Sequence, residues 1–277
     1  MSAENSKQSI AISVAQRIAR EFAFLPQVEA IAMAGSRASE FADAESDVDL
    51  YVYVSADIPL DERTRIATGS SRAEIGNTTW EPGDEWIDPA TSTPVDVMFR
   101  HVRWIEEQLD RVLVRHQASP GYSTCFWYNI IQSKPLFDRN GWFARLQKRA
   151  AVSYPPELRK AIIAKNYPLL RSNRSSYLHQ IELAVRRNDP ISVNHRMAAL
   201  LASYFDVLFA VNQLPHPGEK RILDHAKASC SRLPSGMERQ VRDLANNPAD
   251  DILKRINALV DGLDALLVRE GLMPKGR

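Results

Sequence analysis

Two short runs, Ala34-Gly35-Ser36-Arg37 and, after a polar spacer, Ser46-Asp47-Val48-Asp49-Leu50-Tyr51-Val52-Tyr53-Val54, decide how this chain is read. The first is a small-residue turn leaving the apolar run Val28-Glu29-Ala30-Ile31-Ala32-Met33; the second is a strand that opens on two aspartates. Side chains at i and i+2 of a strand share a face. Asp47 and Asp49 therefore point the same way, about 6–7 Å apart along the chain. Like charges this close raise each other's pKa unless a cation lies between them. Oxygen donors of this kind suit Mg²⁺, which is usually held by one or two carboxylates together with substrate phosphates.

Composition sets the class. The 277 residues are 44% hydrophobic and 25% charged, ordinary for a globular protein and long enough for two modest domains. A formal net charge of +1 provides no bulk attraction to nucleic acid or anionic membrane, so neither is an expected partner. Cys125 and Cys230 stand far apart and read as reduced thiols rather than a disulfide framework. No run approaches the roughly twenty apolar residues needed to span a bilayer. Residues 1–8 are polar, without the apolar centre of a signal peptide, so a cytoplasmic protein is expected.

Outward from the opening runs, Ile10, Val14, Ile18 and Phe22 recur at helical spacing and predict an amphipathic helix over 6–22, ended by Pro26. Strands are expected over 28–33 and 48–54, a helix over 59–74, and a hairpin-like excursion within 77–93. The next strand is Pro94-Val95-Asp96-Val97-Met98-Phe99, whose alternation puts Asp96 on the face opposite Val95, Val97 and Phe99. A helix over 102–116 and a last strand and turn over 134–141 follow. Beyond about residue 150 strand signals cease, and helical patterns cover 157–187, 191–212, 219–228 and 250–270. They are separated by Asn188-Asp189-Pro190, Leu214-Pro215-His216-Pro217-Gly218 and Leu233-Pro234-Ser235-Gly236.

Asp47, Asp49 and Asp96 form the chemical core of this reading. Converging carboxylates can hold two Mg²⁺ ions about 3.5–4 Å apart, stabilising the attacking and leaving oxygens of an in-line displacement. Gly35 lets backbone approach a phosphate closely, and Ser36 adds a hydroxyl and N–H groups.

In this order, Gly35-Ser36, a spacer, Asp47-x-Asp49 and the later strand aspartate Asp96 resemble the motif of the DNA polymerase beta-like nucleotidyltransferase superfamily. The helical second half makes the chain similar to the small bacterial two-domain members, such as the aminoglycoside nucleotidyltransferases. The motif-bearing match covers roughly 28–100, and the rest matches mainly in architecture. The resemblance implies an α+β chain: a nucleotidyltransferase domain, a mixed sheet flanked by helices, over 1–150, then an all-α helical-bundle, substrate-binding domain over 151–277. It implies Mg²⁺-dependent transfer of a nucleoside monophosphate, AMP from ATP being the leading case, to a hydroxyl. Asp47 and Asp49 would bind both metals, Asp96 would bind the catalytic metal and help activate the acceptor, and Gly35 and Ser36 would hold the triphosphate. Small relatives often send a lysine from the helical domain to the triphosphate, and Lys220 is the residue chosen here.

Other residues are more ambiguous. Arg37 reads equally as a phosphate contact or a surface charge, and Lys220 as a phosphate ligand or part of a solvated helix start. Glu74, Glu85 and Glu182 compete as general base, which stays unassigned. His216 and His225 bracket the Lys220 turn and read as cleft-lining or as surface and capping residues. Trp80, Trp86, Trp127 and Tyr128 are candidates for stacking on a base or sugar, with core packing the better reading for Trp127.

Three functions fit. The first is nucleotidyl transfer to a small-molecule hydroxyl, an amino sugar being one acceptor class. The second is transfer to a protein Tyr, Ser or Thr, as in nucleotidyltransferases paired with toxins; the large helical half argues against it. The third is a nucleotide-binding module without catalysis, disfavoured because all three aspartates are present.

Overall fold

The computed structural model describes residues 3–34, 47–79, 81–246 and 251–274. Gly35, Ser36, Arg37 and Trp80 lie outside the described residues. The fold is α+β, built on one six-stranded mixed sheet. Backbone contacts divide the chain into two units. One comprises Met1–Leu109 and Asn129–Val152, the other Asp110–Tyr128 and Ser153–Arg277.

The first unit holds the sheet. Its strands are β1 (Val28–Met33), β2 (Val48–Val54), β3 (Ser71–Asn77), β4 (Gly83–Ile87), β5 (Pro94–His101) and β6 (Lys134–Asp138), in the order β3-β4-β5-β2-β1-β6. β2 and β5 run parallel, and every other described pairing is antiparallel. The helix α1 (Ala3–Ala23) covers one face. Ala11, Val14, Ala15, Ile18, Ala19 and Phe22 bury against Val48, Leu50, Val52, Val95 and Val97. Ile10, counted in the stripe from sequence, is 41% exposed. Small alanines at 11, 15 and 19 carry the contact instead, letting the helix sit close to the sheet.

The helix expected over 59–74 is α2 (Leu60–Ile66) followed by β3. Gly69, at φ +81°, turns the chain out of the helix. Ser71–Asn77 then pairs with β4, so nonlocal hydrogen bonding overrides the local pattern. Arg72 and Glu74 stand exposed on this edge strand, as charges commonly do on edges.

After α3 (Val102–Leu113), the chain forms α4 (Cys125–Gln132) and α5 (Trp142–Ala150), two short helices unread in the sequence. On the sheet face away from α1, Tyr53 packs on Phe143 and Trp142 of α5, with ring centroids 5.2 and 5.3 Å away.

The described residues of the second unit contain no strand. Its helices are α6 (Pro156–Leu170), α7 (Tyr177–Arg186), α8 (Pro190–Val211), α9 (Ile222–Ser229), α10 (Met237–Asn246) and α11 (Ile252–Arg269). The single pattern read over 157–187 is two helices. Ser-Asn-Arg-Ser-Ser at 172–176 interrupts it, and Ser176 caps α7 by accepting the His179 amide. α8 is buried continuously from Ser203 to Val211. Its Asp206 accepts hydrogen bonds from the Ser123 amide (3.1 Å), the Ser123 hydroxyl (2.6 Å) and Asn166 Nδ2 (2.9 Å). Among the described residues, no helix is long and apolar enough to cross a membrane.

Candidate active site

Parallel pairing of β2 with β5 sets Asp49 opposite Asp96, between the pairs Val48–Val95 and Leu50–Val97. The valines and Leu50 enter the core under α1, which turns both carboxylates to the other face. Asp49 and Asp96 are half-buried, and Asp47, one place before β2, is exposed. The row continues across the sheet, with Glu85 of β4 opposite Asp96 and Glu74 of β3 opposite Glu85. Four carboxylates thus lie in register over four adjacent strands. Glu85 also accepts a hydrogen bond from Asn77 Nδ2 at 3.0 Å.

This grouping costs electrostatic energy. Burial pushes the Asp96 carboxyl up to about 6, and the charges of Asp49, Glu85, Asp47 and Glu81 add to the shift. On the other side of Asp49, the Ala34 amide donates to the Asp49 carbonyl at 2.9 Å. The end of β1 is thereby tied beside this row at Ala34.

A second layer lies further along the same face. Tyr51, two places beyond Asp49, is covered by the guanidinium of Arg100, which sits 3.7 Å above its ring centroid. Arg100, four places beyond Asp96, forks onto Glu81 through Nε–Oε2 and Nη2–Oε1 hydrogen bonds, both 2.9 Å. The Tyr51 hydroxyl accepts from Asn129 Nδ2 at 3.3 Å. Burial raises the Tyr51 hydroxyl above its usual pKa, against the opposing pull of Arg100. Tyr51, Glu81 and Arg100 were not singled out from sequence. The period-2 rule that found the aspartates also places Tyr51 and Arg100 on their face.

Lys220, Glu182, His216, His225, Trp127 and Tyr128 belong to the second unit. Lys220 is exposed in a turn of the second unit before α9, which starts at Ile222 rather than at 219. Glu182 of α7 is paired with Arg186 and, at 3.5 Å, with His179. His216 is fully buried and accepts the Gly218 amide at its Nδ1 (3.0 Å). Burial lowers its pKa to about 3. Trp86 is buried in the first unit's core, and Trp127 packs on Tyr154 in the second. Tyr128 meets His225 edge to face.

Among the described residues, no three His, Cys, Asp or Glu side chains form a ready-made metal site. The paired carboxylates of Asp49 and Asp96 have the donor chemistry that suits Mg²⁺, a cation often held by one or two carboxylates with substrate phosphates as its other ligands. By donor type the residues fit the ion.

No protein-family model and no curated protein matches the chain. Solved structures do. A nucleotidyltransferase-like protein from Exiguobacterium sibiricum is 14% identical with a TM-score of 0.43, the match covering 94% of this chain and 76% of that one. A chain of the CdnC:HORMA-deltaN complex of E. coli MS115-1 is 12% identical with a TM-score of 0.30, over 93% of this chain and 91% of that one.

Proposed function

We propose that this protein is a Mg²⁺-dependent nucleotidyltransferase that moves a nucleoside monophosphate, AMP from ATP in the leading case, to a hydroxyl of a small molecule. The observation that carries the reading is the in-register pair Asp49–Asp96 on adjacent parallel strands, with Asp47 one place before β2 and on the same face as Asp49. Asp47, Asp49 and Asp96 are the residues assigned to hold the metal, as two ions in this reading. When bound, Mg²⁺ neutralises phosphate charge and polarises the phosphorus under attack.

The remaining roles belong to the chain. Gly35 and Ser36 cradle the triphosphate, and Arg37 and Lys220 are the cations assigned to phosphate. The acceptor oxygen bonds to the α-phosphorus while the bond to the pyrophosphate oxygen breaks. A carboxylate oxygen of Asp96, the half-buried register partner of Asp49, takes the hydroxyl proton. On the opposite face Val48, Val52, Val95 and Val97 are buried in the core.

Purified protein is incubated with Mg²⁺ and labelled ATP, CTP, GTP or UTP, first with a panel of amino sugars and polyols and then with lysate. Label moving into small molecules supports the proposal. Label running with protein replaces it with transfer to a protein hydroxyl. Wild-type protein that binds no Mg·NTP, or an Asp49→Asn variant as active as wild type, overturns it.

A further inference from the structure

We infer that Arg100 is a positioning residue of the carboxylate row, acting through Tyr51 and Glu81; this rests on the nucleotidyl-transfer reading above. Arg100 is only 4% exposed, an unusual place for a permanent cation unless its donors and its flat faces are used. Its fork holds both oxygens of Glu81, and its plane lies on the ring of Tyr51. Each partner leads directly to the row. Tyr51 stands two places from Asp49 on β2, and Glu81 immediately precedes Pro82-Gly83, where β4 begins.

The turn at 81–83 is strapped to β5 at two further points. The Phe99 amide donates to the Pro82 carbonyl at 2.8 Å. Gly83 lies so close that a Cβ there would stand 2.9 Å from the Val97 carbonyl oxygen. From this anchored start, β4 reaches Glu85 after two residues and sets it against Asp96. Arg100 therefore links the β2 carboxylate, through Tyr51, to the β4 carboxylate, through Glu81, while riding on the strand that carries Asp96. Misplacing a reacting group by about 1 Å can cost about 10²-fold in rate. A lysine cannot replace this residue, because an ammonium neither forks onto a carboxylate nor stacks flat on a ring.

Arg100→Lys and Glu81→Gln test the inference, with three measurements on the full chain. These are thermal melting, amide hydrogen exchange resolved to single residues, and kcat and KM for Mg·ATP in transfer. Expected for both variants is a kcat about 10²-fold lower, with KM for Mg·ATP within about threefold. Exchange should rise at the Phe99 amide while remaining unchanged in the β1–β2 ladder. Variants with kcat near wild type despite faster Phe99 exchange overturn the inference. So does a loss that merely follows the unfolded fraction, with exchange faster everywhere. An inactive wild type that binds no Mg·ATP overturns the functional reading together with this inference; an active wild type with active variants overturns the inference alone.

Discussion

Asp49 and Asp96 are register partners on neighbouring parallel strands, flanked on each strand by residues that enter the core. Each carboxyl is thereby held beside a like charge that it cannot leave without breaking the β2–β5 pairing. Like charges directly opposite each other in a sheet are destabilising. Such an arrangement is strained without a cation and useful with one.

Neutralising Asp96 should therefore separate stability from activity. Asp96→Asn is expected to melt at or above wild type in metal-free buffer, stabilised by up to about 1 kcal/mol. Nucleotidyl transfer should fall by about 10²–10³-fold. Differential scanning calorimetry and the transfer assay, run on the same preparation, check both halves. Adding Mg²⁺ should raise the wild-type midpoint more than that of the variant.

Asp84 and Arg63 form a buried ion pair beneath the other face of the sheet. Arg63 Nε donates to Asp84 Oδ2 at 2.9 Å, the Gly76 amide donates to Oδ1 at 2.8 Å, and Asp84 is 0% exposed. Asp84→Ala strands a buried guanidinium and is expected to cost about 3–5 kcal/mol in urea unfolding. Arg63→Met with Asp84→Leu should recover much of that loss, because no uncompensated charge remains.

His216 should stay neutral throughout the working pH range. Its Nδ1 accepts the Gly218 amide, so the ring proton sits on Nε2. Its folded pKa, about 3, lies below the value of the unfolded chain, because burial disfavours the charged ring. Its contribution to stability is present above about pH 6.5 and is lost as pH falls toward 3. Nitrogen-15 NMR of the imidazoles should show one histidine fixed as the Nε2–H tautomer from pH 5 to 8.

Asp206 has the opposite sign. Burial raises its carboxyl to about 7, so between pH 4 and 7 the folded chain keeps a proton that the unfolded chain has released. That contribution is fully present below about pH 4 and is lost as pH rises through about 7. From pH 5 to 7 it should weaken by on the order of 2 kcal/mol. Comparing urea melts of wild type and Asp206→Asn at pH 5 and 7 isolates it, since the variant lacks the titration.

Much of this was legible because strand periodicity is a local property. The alternation in 94–99 placed Asp96 opposite Val95 and Val97, and the structure agrees. Where pairing with a distant strand decides, the local pattern misleads. The helical pattern that starts at Pro59 runs to Glu74, yet Glu74 lies on edge strand β3, because β4 supplies its hydrogen bonds. Glu85 was one of three competing glutamates, and only the β4–β5 register sets it beside Asp96. Period two puts Arg100 on the face of the aspartates but leaves its role unread, because a lone arginine near the end of a strand looks the same whether solvated or buried and forked onto a carboxylate.

By itself, the sequence determined that Asp47 and Asp49 share a face, that β2 is a core strand, and that a mainly helical second half follows. These properties depend on spacings of two and of three to four residues, which are written in the chain. Tertiary structure alone decided that Asp49 meets Asp96, that Glu85 and Glu74 extend the row, and that Arg100 binds Glu81 over Tyr51. Those facts depend on which strands pair and in which register. Pairing and register are properties of the assembled sheet, set by burying Val48, Leu50, Val95 and Val97 together under α1.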